Sequence, residues 1–138
     1  MLAAMIPVGQ ALETSGISLS IANFISTSTE GMALPWLILM ILVITMFVSD
    51  IVNNAATAVI MAPIAANLAI QVGQPVEPFL MAVAVGASCA FLSPIGHQCN
   101  TLVMAPGNYK FGDYWRLGLP LECVIVAISI PMILFVWT

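Results

Sequence analysis

The sequence predicts an all-α integral membrane protein, and three observations carry that prediction. The first is composition: of 138 residues, 62% are hydrophobic and 6% charged, where a soluble domain carries about 25% charged residues. Mean hydropathy is +1.12, and so few charges leave too little polar material to cover a water-facing surface. The second is a set of long apolar runs that approach or reach spanning length. The third is a pair of polar breaks inside those runs, Ser49-Asp50-Ile51-Val52-Asn53-Asn54-Ala55-Ala56-Thr57 and Ser93-Pro94-Ile95-Gly96-His97-Gln98-Cys99-Asn100. Hydrocarbon offers no water to satisfy amides and carboxylates, so such breaks must pack inside protein or line a cavity. Paired breaks in apolar helices are how many transporters build a site at mid-depth.

Residues 1–12 are apolar and have no basic leader, so they read as the end of a helix rather than a signal peptide. The chain is therefore expected to be the C-terminal piece of something larger. Glu13-Thr14-Ser15-Gly16 ends this run, with Gly16 as the cap. Residues 17–25 form a short amphipathic stretch, followed by a polar loop over 26–31. Residues 32–48, extended by Ile51 and Val52, approach the ~20 residues a spanning helix needs. Pro35 falls near the start, where a missing amide is harmless.

Residues 55–72 resume the apolar run across Pro63 and Asn67. Gly73-Gln74-Pro75-Val76-Glu77-Pro78 is a turn. Two geometries fit the Asn53-Asn54 region: the apex of a re-entrant hairpin, or a full span entering such a hairpin arm. Residues 79–92 form a short helix rich in Ala, Gly and Ser, which lets backbones approach closely in lipid. With residues 100–105 it reads as one discontinuous span whose unwound middle is 94–100. Residues 106–116 are an aqueous loop holding both basic residues, Lys110 and Arg116, and the positive-inside tendency puts it in the cytoplasm. Residues 117–137, about 21 in number, can span, with Trp115 and Trp137 as interfacial anchors.

Charge and cysteine content exclude several classes. The formal net charge is -4 and the charges are scattered, so nothing grips nucleic acid. Cys89, Cys99 and Cys123 lack disulfide or zinc spacing and read as packing residues. No nucleophile constellation or phosphate loop suggests an enzyme, and no cofactor is expected.

Four stretches carry a resemblance: Leu12-Glu13-Thr14-Ser15-Gly16, Asn53-Asn54-Ala55-Ala56-Thr57, the break from Ser93 to Asn100, and Phe111-Gly112-Asp113-Tyr114-Trp115-Arg116-Leu117-Gly118-Leu119-Pro120-Leu121. In order and spacing, the chain resembles the C-terminal part of the second inverted repeat of the divalent anion/sodium symporters, within the ion transporter superfamily. The Gly96-His97-Gln98 variant points toward the large bacterial permeases. The resemblance implies part of an inverted-repeat transporter half, with a re-entrant hairpin and a discontinuous helix. Residues 1–138 would form one fragment of its transport domain. It further implies a homodimer in the bacterial inner membrane, and a partner region supplying the missing N-terminal half.

Carried over, the resemblance implies a sodium site made by the Ser49 hydroxyl, the Val52 carbonyl, the Asn54 side-chain oxygen and the Gly96 carbonyl. The physics agrees: an unwound helix frees carbonyls for a hard cation, and Gly96 permits close approach. For the anion, a helix starting near Ala55 points amides and its positive end at the apex. Asn53, Asn54 and Thr57 would add donors, and Gln98 would close the pocket. Ala55 stands where the family has a threonine, which makes sulfate as credible a substrate as a dicarboxylate.

The expectation is thus sodium-coupled secondary transport of a small anion. The alternatives are a proton- or sodium-linked antiporter or arsenite-type exporter centred on Asp50, and an inactive membrane fragment. Plainer roles stand beside these. Asn53 and Asn54 could cap a helix, and Ser49 could bond back to its own helix. Asp50 is expected at a helix end facing water. His97 is expected as a hydrogen-bonder in a tight turn, and Asp113 with Arg116 as a loop pair.

Overall fold

The computed structural model describes residues 7, 10–11, 14–28 and 33–137. Within them the chain forms six α-helices: α1 (Ile17–Ser28), α2 (Leu34–Ile51), α3 (Asn54–Val72), α4 (Glu77–Ser88), α5 (Gln98–Met104) and α6 (Phe111–Trp137). The expected helix over 1–12 lies largely outside the described residues. Its end is visible, because Gly16 takes the left-handed φ of 70° that the capping role requires. α1 runs to Ser28, into the residues expected to be a loop, while 29–32 lie outside the described residues. The Thr27 hydroxyl donates to the Asn23 carbonyl at 2.9 Å, a bond that keeps a polar residue compatible with helix.

α2, α3 and α6, with 18, 19 and 27 residues, are long and apolar enough to cross a membrane. Pro35 sits in the first turn of α2 as expected. α3 ends in a turn built on Gly73, whose φ is 69°. The Gln74 amide there reaches the Ala69 carbonyl at 3.0 Å and the Gly73 amide the Ile70 carbonyl at 3.2 Å, satisfying two orphan carbonyls.

The core sits where α4 lies against α2 and α3. Leu37, Ile38, Ile41 and Leu42 of α2 meet Phe79, Ala82 and Val83 of α4, all buried. Gly86 sets the closeness: a Cβ there would stand 2.9 Å from both the Leu42 carbonyl oxygen and the Thr45 Cβ. The small residues of α4 are thus used as the sequence predicts. α1 packs on α3, with the Asn67 amide donating to the Ser18 hydroxyl at 3.4 Å.

Two boundaries differ from expectation. α4 ends at Ser88, so the unwound stretch is 89–97 rather than 94–100, and Asn100 is helical. The physical reason is partners: hydrogen bonds from outside α4 satisfy the Leu92, Ile95 and Gly96 amides, so the segment need not stay helical. α6 begins at Phe111, which puts Arg116 in the helix rather than in a loop. Asp113 accepts from the Lys110 amide at 2.8 Å and so starts that helix. Of the residues in α6 only Gly118 and Ile133 are buried; its apolar surface suits lipid or a neighbouring segment.

Candidate functional site

The site begins where α2 stops. Val52 and Asn53 are extended and separate two helices that follow one another directly along the chain. Asn53 is exposed, and its side-chain oxygen accepts from the Ala56 amide at 2.9 Å. It is therefore the N-cap of α3. Asn54 is the first helical residue, and it turns its own side-chain oxygen back toward α2.

There the Ser49 hydroxyl lies 2.8 Å from the Ala87 carbonyl oxygen and 3.0 Å from Asn54 Oδ1. A hydroxyl has one proton for these two acceptors. With that proton on Ala87, Ser49 Oγ and Asn54 Oδ1 become two lone-pair-bearing oxygens side by side, an arrangement a small cation relieves. Ser49 is fully buried, so bulk water is not available to do the same. The Val52 amide bonds to the Val48 carbonyl at 2.9 Å, and Val52 is half-buried at the joint.

The second break folds over this joint. A Cβ on Gly96 would stand 2.8 Å from the Ser49 carbonyl oxygen, 2.7 Å from the Ala90 Cβ and 3.1 Å from the Asp50 Cα. Only glycine lets the two backbones meet this closely. Ser49, Asn54 and Gly96 are therefore together in space, with Val52 at the same joint.

Asp50 corrects the sequence reading. It is 6% exposed rather than facing water. Its Oδ1 accepts from the Leu92 amide at 3.0 Å, and its main-chain oxygen accepts from the Ser93 hydroxyl at 2.6 Å. Ser93 Oγ in turn accepts from the Ile95 and Gly96 amides, each at 3.2 Å. The loop supplies a donor to Oδ1, while Oδ2 is buried without a hydrogen-bond partner among the described residues. Asn100 and Thr101 tie down the other side: the Asn100 amide donates to Ala90 O at 2.9 Å and the Thr101 hydroxyl to Pro94 O at 2.6 Å.

Thr57 lies one turn into α3. It is fully buried, and its hydroxyl has no hydrogen-bond partner among the described residues. Thr45 in α2, by contrast, donates back to the Ile41 carbonyl at 2.6 Å. A free buried hydroxyl beside an N-terminal helix turn is a donor awaiting an acceptor. Gln98 opens α5 and is exposed. His97 Nδ1 accepts from the Cys99 amide at 3.2 Å, the turn-forming role expected of it.

Sequence reasoning missed Ser93, which organises the second break, and Glu122, a half-buried carboxylate on α6. Glu122 could have been found as the only charge in the apolar run over 117–137. Ser93 carried no such signal, because its role depends on which carbonyl the fold puts beside it.

Comparison with known proteins adds the following. A family described as CitMHS, citrate transporter, matches residues 1–138. An uncharacterized transporter of Synechocystis is 38% identical, over 96% of this chain and 22% of that protein. Sodium/sulfate cotransporter 2 of Chlamydomonas reinhardtii is 31% identical, over 93% of this chain and 15% of that protein. A sodium-dependent high-affinity dicarboxylate transporter of Caenorhabditis elegans is 32% identical, over 85% of this chain and 21% of that protein. The chain thus spans between 15% and 22% of the length of these relatives.

Proposed function

The chain belongs to the CitMHS citrate transporter family, a family of transporters rather than enzymes, and from that premise we propose that it is the part of a sodium-coupled permease that holds a cation against a small anion. In this reading Ser49 Oγ, Asn54 Oδ1 and the Val52 and Gly96 carbonyls surround sodium. The bound ion offsets the charge of an anion that the α3 N-terminus, Asn53, Asn54 and Thr57 receive, and Gln98 closes the pocket. The anion is a sulfate-like oxyanion or a dicarboxylate, the substrates that the relatives' names carry. The joint at Val52 and Asn53 serves as the apex of a re-entrant hairpin. The working permease needs the inverted-repeat half that this chain does not contain, assembles as a homodimer, and sits in a bacterial inner membrane.

The single observation that supports this most is the meeting of the two breaks: Asn54 Oδ1 lies 3.0 Å from a buried serine hydroxyl, under a glycine pressed to that serine's carbonyl. Donor chemistry fits sodium, a hard cation served by neutral oxygens. The test is uptake of sulfate and of dicarboxylates by the full-length permease in proteoliposomes, with sodium varied. Asn54→Ala is expected to raise half-saturating sodium by about tenfold or more, as loss of a metal-ligand contact does. Uptake in that variant with wild-type sodium dependence would end the assignment.

A further inference from the structure

Asn100 spans the second break from one end to the other. Its side-chain amide donates to the Ala90 carbonyl at 2.9 Å and to the Ser93 carbonyl at 3.3 Å. It thereby ties the first turn of α5 to the residues just past the end of α4. Thr101, next to it, donates to the Pro94 carbonyl at 2.6 Å, so moving the start of α5 moves the whole break. Ala90 is buried, and a Cβ on Gly96 would stand 2.7 Å from its Cβ and 2.8 Å from the Ser49 carbonyl oxygen. Gly96 is thus wedged against both Ala90 and Ser49, and Asn100 holds Ala90 in place.

Asn100 is itself anchored from α6. The Tyr114 hydroxyl donates to the Asn100 carbonyl at 2.7 Å, and both residues are half-buried. This is the one hydrogen bond between α5 and α6 among the described residues. Beside it lies a cavity of about 270 Å³, lined by Asn100 and Val103 of α5 and by Tyr114, Leu117 and Leu121 of α6. Side chains facing a cavity have no partner atoms there, so packing gives the bond little support. We propose that Tyr114 is a positioning residue for the cation site: its hydroxyl holds Asn100, whose amide fixes Ala90 against Gly96 and so keeps the Gly96 carbonyl in register with Ser49 and Asn54. This rests on the sodium reading given above, and it extends the working site to the first turn of a helix that supplies none of the proposed ligands.

The test is sodium-dependent uptake by the full-length permease in proteoliposomes at saturating anion, normalised to folded protein. Tyr114→Phe removes only the hydroxyl. It is expected to raise half-saturating sodium about three- to tenfold while the maximal rate at saturating sodium survives. Asn100→Ala is expected to shift it at least as far. Tyr114→Phe added to Asn100→Ala is expected to bring less than about a twofold further change, because the two act through one contact path. Tyr109→Phe loses an equivalent hydroxyl from an exposed side chain and is expected to match wild type. Wild-type sodium dependence in Tyr114→Phe overturns the proposal, whatever happens to the Tm. So does additivity of the Tyr114 and Asn100 substitutions, since that separates their roles, and so does an equal shift in Tyr109→Phe. If Asn100→Ala fails to fold, Tyr114→Phe and Tyr109→Phe decide the matter alone. Asn54→Ala measured alongside separates the two failures. If it shifts sodium dependence while Tyr114→Phe does not, only the positioning role falls; if neither shifts it, the sodium reading has failed as well.

Discussion

Replacing Gly96 with alanine is the sharpest perturbation of the site, because the added methyl has nowhere to go. Its Cβ would stand 2.7 Å from the Ala90 Cβ and 2.8 Å from the Ser49 carbonyl oxygen, with the Asp50 Cα at 3.1 Å. Comfortable carbon–carbon separation is about 3.5–4.0 Å. The deficit is therefore roughly 0.8 Å against Ala90. None of the three neighbours is the far end of a flexible side chain, so none can rotate aside. The loop must lift from the α2 end instead. Overpacking of this kind costs about 1–3 kcal/mol. If the strain falls on the cation-bound arrangement, half-saturating sodium rises about 5- to 150-fold.

The assay is sodium-dependent uptake by the full-length permease, with thermal unfolding of the purified protein beside it. Gly112→Ala is the control: nothing lies within 4 Å of a Cβ at Gly112, and alanine in a helix gains up to about 1 kcal/mol over glycine. Gly96→Ala with wild-type sodium dependence and an unchanged Tm would refute the reasoning, because it would mean that the two backbones do not touch.

Thr57→Val should raise stability by up to about 1 kcal/mol, because it removes a buried hydroxyl that has no partner. The same variant should raise the half-saturating anion concentration, and an unchanged value removes Thr57 from the substrate site. Asn53→Ala should cost about 1 kcal/mol through loss of the α3 cap, with Asn53→Asp retaining most of it; both are read from thermal unfolding. Gly73→Ala should cost about 1–2 kcal/mol from left-handed strain alone, since its φ is 69° and nothing crowds the position.

Much of this architecture was readable from sequence because the bilayer simplifies the problem. Apolar length gave α2, α3 and α6, and the polar breaks gave the joints between helices. Glycine and proline punctuation gave the Gly16 and Gly73 turns. What failed to read were features that depend on partners far along the chain. Asp50 looked solvated because its neighbours in sequence offer no donors, whereas Leu92 and Ser93, some forty residues on, supply contacts at 3.0 Å and 2.6 Å. The early end of α4 has the same origin, since a helix unwinds where foreign donors and acceptors replace its own. In the candidate site, Ser49 and Asn54 are five residues apart across one joint, so local pattern could relate them. As ligands, Ser49, Val52, Asn54 and Gly96 all came from family resemblance, and the fold then put Gly96 on the Ser49 carbonyl.

The division of the proposed cage between two breaks bears on how ion binding could drive transport. A cation held by one helix would bind equally well wherever that helix moved. A ligand shifts a conformational equilibrium only by its differential affinity for the two states. Here Ser49 and Asn54 belong to the α2–α3 joint, and the Gly96 carbonyl belongs to the segment between α4 and α5. In the proposed reading, any motion that slides these segments apart loses part of the cage, so sodium favours the state in which they touch. The contacts through Ser93 and Asp50 are short and directional, which makes that state a defined one rather than a loose association. Anion binding beside Thr57 would then occur on a joint already fixed by the cation, and release of either would free the segments to separate.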